Sequence, residues 1–172
     1  MQLLSSDECR SWASQHGFRV NESFRHPIAN EVAERLDFLI PSDTGARVAL
    51  ARALWENTGA GAETLLWITD WGVWPSGEHP PLADAARRGL GADRPLIEAP
   101  GHLVTPAESD AGMSILVLSI LFLWDCWVLP IGNRPSAFIS HDEFGLVDVR
   151  HGDRGLAKLL VELDVMQSPS QA

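Results

Sequence analysis

The sequence predicts a single α+β domain, and three observations lead there. Helical and strand-like segments interleave, a hairpin in the C-terminal half breaks their regular alternation, and no linker rich in Pro, Gly or Ser divides the 172 residues. A mixed or antiparallel central sheet packed by several helices is the expected architecture. A chain of this length buries roughly 70% of the surface its unfolded form exposes. Apolar residues make up 45% of the chain, charged residues 21%, and seven Trp are present, which suits a packed globule and not a disordered polymer. The domain is expected over residues 1–166, with 167–172 a frayed tail.

The elements follow from local signals. Ser5 and Ser6 ahead of Asp7 and Glu8, with Gly17 as a stop, predict a helix over 6–16 that turns Trp12 inward. Leu36, Phe38 and Ile40 alternate with polar and apolar neighbours as a short strand would, while Ile28, Val32 and Leu36 suit a helix, so that boundary stays open. Ser42-Asp43 caps a helix carrying Val48, Ala51, Leu54 and Trp55 on its inner face and ending near Gly59. Thr64–Thr69 is rich in β formers and runs into an irregular loop punctuated by Gly72, Pro75, Gly77, Pro80 and Pro81.

A short helix over 82–89 and a second loop over 91–101 come next. Thr105-Pro106-Ala107-Glu108 has the form of a capping box with Pro at the first helical position, so a helix is expected from 106 to about 122, and its all-round apolar stretch from Ile115 to Leu123 implies burial on every side. Residues 124–129 and 136–140 then form a hairpin about Pro130–Pro135, and a helix over 151–165 closes the domain.

A net charge of −10 repels a phosphate backbone, so no nucleic acid is expected as a partner. An acidic surface confers solubility and suits a basic protein partner. The apolar run from Gly112 to Leu123 is shorter than the roughly 20 residues that span a bilayer, so no membrane association is expected. Cys9 and Cys126 stand far apart with no Cys-x-x-Cys motif, and Asp7 and Glu8 occupy the place of a signal peptide's apolar region; both favour a reducing, cytoplasmic setting.

Ionisable residues gather after the hairpin. Ser140, His141 and Asp142 cannot form a catalytic triad, because neighbours on a strand point to opposite faces. His141, Asp142 and Glu143 are catalytic candidates only together with residues from other loops, above all His102; His151, Asp148 and Asp153 are further raw material for a metal site, without any recognised ligand spacing. The competing reading is a hydrogen-bonded turn. Asp125, a carboxylate in an apolar run, must meet a backbone donor or a cation such as Arg134 or Arg94. Trp71 and Trp74, on a Gly/Pro-rich loop after a strand, are binding candidates with His102 and Glu98; burial of the two indoles to fold down their own loop is the alternative.

Trp71-Gly-Val-Trp-Pro-Ser76, Arg94-Pro-Leu-Ile-Glu-Ala-Pro-Gly-His-Leu103 and Phe138-Ile-Ser-His-Asp-Glu-Phe144 together resemble a family of uncharacterised bacterial proteins of similar length, over residues 60–150. The resemblance implies a bacterial, single-domain, soluble protein in which the two loops and the hairpin end converge. It carries over no activity and no cofactor, and none is expected here. The leading expectation is a non-enzymatic protein-binding domain, immunity-like or otherwise; the alternative is a metal-assisted hydrolase with a cleft of His102, His141, Asp142 and Glu143.

Overall fold

A computed structural model describes residues 1–20, 28–29, 32, 34–71, 80–149 and 160. Its chain order is β1 (Gln2–Leu4), α1 (Ser6–Gln15), β2 (Phe18–Arg19), β3 (Ile28–Ala29), β4 (Glu34–Leu39), α2 (Thr44–Asn57), β5 (Thr64–Asp70), α3 (Pro80–Gly89), β6 (Gly101–Val104), a 3₁₀ turn (Pro106–Glu108), α4 (Ser109–Leu121), β7 (Asp125–Pro130), β8 (Ser136–Ile139) and β9 (Phe144–Val149). Seven strands form one sheet in the order β1-β6-β5-β7-β8-β9-β4, and every pair is antiparallel. The α+β expectation holds, with an antiparallel sheet and the β7–β8 hairpin in place. No helix among the described residues is long and apolar enough to cross a membrane.

Strand alternation splits the core in two. Leu66, Ile68, Val104, Cys126, Val128, Ile139 and Val147 face α2 and α4, whose Leu50, Leu54, Ile115, Leu116 and Ile120 cover them. Leu65, Trp67, Trp127, Leu129 and Phe138 face the other way, beneath Cys9, Trp12 and Ala13 of α1. Burial on both faces explains why β5 and β7 read as continuous apolar runs. Leu160 is buried with the first cluster; the rest of the expected helix over 151–165 and the tail lie outside the described residues.

Helix ends match their signals. The Ser5 side chain accepts from Glu8 N–H at 3.4 Å while Glu8 accepts from Ser5 N–H at 2.7 Å, and the Asp43 carboxylate accepts from Ala46 N–H at 2.8 Å. At the end of α4 the chain turns through Leu123 at φ 52, with Trp124 N–H donating to Ser119 O at 2.9 Å, a Schellman closure that delivers the chain into β7.

Several expectations need correction. Val48 is 36% exposed, and α2 instead buries Leu50 and Ala53 beside Ala51, Leu54 and Trp55. Helix α4 is buried only along Gly112, Ile115, Leu116, Ser119 and Ile120, because the sheet covers one side of it. The region left open before Pro41 is a strand from Glu34. The loop expected over 91–101 ends one residue early: Gly101 opens β6, an inner strand between β1 and β5 that also carries His102. Short strands at β1, β6 and β9 complete the sheet through non-local pairing that no local signal announced.

Two close approaches depend on glycine. Trp55 lies against Gly112, which brings α2 and α4 together, and its Nε1–H donates to Ser109 Oγ at 2.9 Å. Gly145 pairs directly with Phe38 across β9 and β4, and the Phe38 ring covers it. A Cβ at 145 would fall inside that ring, and both residues are buried. Gly145→Ala is therefore expected to cost about 1–3 kcal/mol from overpacking, read as a lower urea midpoint, and Phe38→Leu in the same chain should recover part of the loss. An unchanged midpoint in the single variant would contradict this packing.

Candidate functional site

Antiparallel pairing brings the C-terminal ends of β4, β5 and β8 and the N-terminal ends of β6, β7 and β9 to one end of the sheet. The β8–β9 turn, Trp71 and the loop over 91–100 therefore share that end; the rest of the Trp71–Ser76 segment lies outside the described residues.

The β5–β7 register is regular from Thr64↔Pro130 to Ile68↔Cys126 and then shifts, so that Asp70 and not Thr69 stands opposite Asp125. Such a bulge re-aims the side chains beyond it. Thr69 holds the shift: its hydroxyl donates to Asp125 O at 3.5 Å and accepts from Trp127 Nε1–H at 3.2 Å. Asp125 Oδ1 accepts from His141 N–H at 2.7 Å and meets His141 Nδ1 at 2.8 Å. A carboxylate oxygen accepts, so Nδ1 carries the proton in this contact and Nε2 faces Asp142 Oδ1 at 3.4 Å. Ligand atoms of Asp70, Asp125 and His141 all lie within 4.8 Å of one another.

Asp125 thus meets a backbone donor, as expected, together with an imidazole. Neither arginine named for it is its partner: Arg134 donates to Thr58 O at 3.1 Å and Arg94 to Glu98 O at 3.3 Å. The turn reading of Ser140–Glu143 also holds. Ser140 Oγ accepts from Asp142 N–H at 3.2 Å, and Glu143 sits at φ 62 with its carboxylate 3.3 Å from Arg47 Nη2. Asp142 and Glu143 side chains are each 61% exposed. Asp148, offered as metal-site material, is instead held by Arg35 through two hydrogen bonds of 2.7 and 2.9 Å, and these keep the Arg35 guanidinium above its ordinary pKa.

His102 does not join this group. It stands opposite Leu66, four residues before Asp70, and β6 is three strands from β8, about 14 Å at roughly 4.8 Å per strand. The cleft of His102 with His141, Asp142 and Glu143 is not assembled. His102 is fully buried and accepts from Arg87 Nε–H at 2.8 Å, while Arg87 also donates to Ala99 O at 2.7 Å and Asp84 at 3.3 Å. Asp84 in turn accepts from Leu96 N–H at 3.0 Å, so this cation ties the 91–100 loop to α3 and the sheet. Burial, then the Arg87 charge, pushes His102 down to about 3. Its Nδ1 has no hydrogen-bond partner among the described residues, although the backbone of Leu66 and Pro100 lies near enough to oppose the shift. Burial likewise lowers Arg87, against the pull of Asp84.

The remaining candidates divide by exposure. Glu98 is exposed on the pinned loop beside Ile97, which is 76% exposed. Trp71 is half-buried against the α2/α4 core, so its indole is partly structural, and Trp74 lies outside the described residues with His151 and Asp153. Five other Trp are buried, leaving Trp71 as the described indole at the rim. Both cysteines are free and buried, on opposite sheet faces, and desolvation pushes each thiol up to about 12, as inert apolar side chains. Reasoning from sequence missed Asp70. Its signal was Asp70 closing one apolar strand and Asp125 opening another, which becomes a pair only once the bulge is known.

A roomier groove of 370 Å³ runs between β1 and α1, but Asp7 there pairs with Arg10 and Glu8 is committed to capping its helix. The hollow beside Arg35 and Asp148 measures 10 Å³, room for about one water.

The depressed His102 pKa has a stability consequence. Between about 3 and the ordinary 6.5 the unfolded chain binds a proton that the folded chain refuses. Its contribution is therefore complete above 6.5 and is lost as pH falls towards 3, by about 1.4 kcal/mol per pH unit at most. His102→Gln keeps an acceptor for Arg87 without the titration; urea midpoints from pH 7 to 4 should fall less steeply in that variant than in the parent. Parallel curves would refute the assignment.

No family model, no curated protein and no solved structure matches the chain, so the roles of these residues rest on their geometry.

Proposed function

We propose that the protein is a non-enzymatic binding domain that takes a basic protein partner at the loop end of its sheet. One observation carries this reading. The exposed Leu39 and Ile97, 47% and 76% accessible, and the half-buried Trp71 lie at the same sheet end as the exposed Glu98, Asp142 and Glu143.

Leu39 and Ile97 flank strands five spacings apart, about 24 Å at roughly 4.8 Å each. That span fits within a patch of about 800 Å², roughly 30 Å across, the share each partner gives to an ordinary interface. Apolar anchors among carboxylates suit Lys and Arg side chains, whose stems pack on apolar surface and whose heads pair with acids. The net charge of −10 adds long-range attraction for such a partner. Rigidity supports the reading too, because Arg87 pins the loop that presents Ile97 and less ordering entropy is lost on binding. The alternative hydrolase reading loses its basis in His102, which is buried elsewhere.

Affinity capture with cross-linking and mass spectrometry tests the proposal. Cross-links should concentrate on the segments holding Leu39, Ile97, Asp142 and Glu143. Ile97→Asp should weaken capture by about tenfold or more, and the pair Asp142→Asn with Glu143→Gln should remove most of its dependence on salt. Both changes are at exposed positions and should leave the melting temperature within about 2 °C. Capture undiminished by either set would end this reading.

A further inference from the structure

We propose that Asp70, Asp125 and His141 form a binding site for one divalent first-row transition ion, of the Zn²⁺ or Mn²⁺ class. The inference is independent of the partner reading, since none of the three side chains is needed to present Ile97 or Leu39.

Four features point to an ion. The donors come from separate segments, the end of β5, the start of β7 and the turn after β8, so the sheet sets their spacing and not a flexible loop. The bulge after Ile68 brings Asp70 in place of Thr69 opposite Asp125, setting two carboxylates against each other across the ladder. Their oxygens lie with the His141 nitrogen within 4.8 Å of one another, so both carboxylates can reach one ion. Asp125 is only 7% exposed, and its carboxylate is already oriented by the His141 N–H, the outer hydrogen bonding that ligating carboxylates carry.

The donor distances fit as well. Donors about 2.1 Å from one tetrahedral ion lie roughly 3.4 Å apart. The 2.8 Å between Asp125 Oδ1 and His141 Nδ1, a contact whose Nδ1 proton an ion would displace, and the 4.8 Å limit for the whole group bracket that value. One imidazole with two carboxylates excludes the all-oxygen shell that Ca²⁺ and Mg²⁺ favour and the thiolate set of structural zinc. Three protein donors leave a coordination position open, as exchangeable sites do and closed structural ones do not. Asp142 is not one of the three donors; it lies 3.4 Å from His141 Nε2 at the surface.

The test uses the full chain, stripped with chelator and dialysed. Co²⁺ titration should give a visible d–d spectrum saturating at about one equivalent, and Zn²⁺ should compete for it. Asp70→Asn and His141→Gln should each weaken binding by at least about 30-fold while retaining the parent far-UV spectrum. Asp125→Asn, which also removes a structural acceptor, serves only as a third comparison if it folds. Two results overturn the proposal: no Co²⁺ spectrum or retained Zn²⁺ at about 100 µM free ion, or binding unchanged in both Asp70→Asn and His141→Gln, which would place the ion on other histidines.

Discussion

The β5–β7 ladder is the constraint on which the rest of the structure depends. Both strands are buried on both faces, so each residue from Leu65 to Ile68 and from Cys126 to Leu129 is fixed by packing as well as by hydrogen bonds. A one-residue slip would carry Trp67 and Trp127 into the α2/α4 layer and Leu66 and Val128 under α1, exchanging large rings for smaller branched chains in both cores. The register is therefore held strongly, and the sheet can leave it at one point only, beyond Ile68, where Asp70 is only partly buried. The departure from the ladder and the gathering of Asp70, Asp125 and His141 are one event.

A second buried contact controls the neighbouring loop. Arg87 is almost fully buried, and a desolvated guanidinium is tolerable only when its donors are used. It reaches an imidazole, a carbonyl and a carboxylate, and the carbonyl and the Leu96 amide bonded to that carboxylate belong to the 91–100 loop. Neutral His102 is the partner that this arrangement requires, since a protonated ring would set two cations in contact without solvent. The histidine in Pro100-Gly101-His102 thus acts on the surface indirectly, by fixing the loop that carries Ile97 and Glu98.

How far the sequence could be read follows from how local each signal is. The Ser5–Glu8 capping box, the Thr105–Glu108 start and the β7–β8 hairpin depend on neighbours within a few residues, and all three were legible. Strand β6 was not, because Pro100 and Gly101 carry turn signals; Gly101 stands there because a side chain would collide with Cys9 and Leu4. Strand β9 was hidden by the charged turn before it and by Gly145, whose missing side chain makes sense only opposite Phe38. Within the site, His141, Asp142 and Glu143 could be nominated by type. Asp125 was noticed for its apolar surroundings, while its pairing with His141 and Asp70 depends on contacts 16 and 55 residues distant in sequence, and strict alternation would have aimed Thr69 in place of Asp70.

The two proposed properties of this sheet end place different demands on its carboxylates. An ion site needs donors that are few, oriented and partly dry, which describes Asp125 at 7% exposure. A surface for basic side chains needs carboxylates that are wet, because solvent-exposed pairs form with little desolvation cost and act mainly on encounter rate and specificity; Asp142 and Glu143, each 61% exposed, meet that need. His141 stands at the boundary, one nitrogen toward Asp125 and the other toward Asp142. An ion held by Asp70, Asp125 and His141 would neutralise the inner carboxylates, while the outer ones, paired only at the surface with Arg47 and His141 Nε2, would keep their charge for a partner. The bulge after Ile68 is what makes this division available, since an unbroken ladder would leave Asp125 facing Thr69 and the imidazole with a single inner carboxylate.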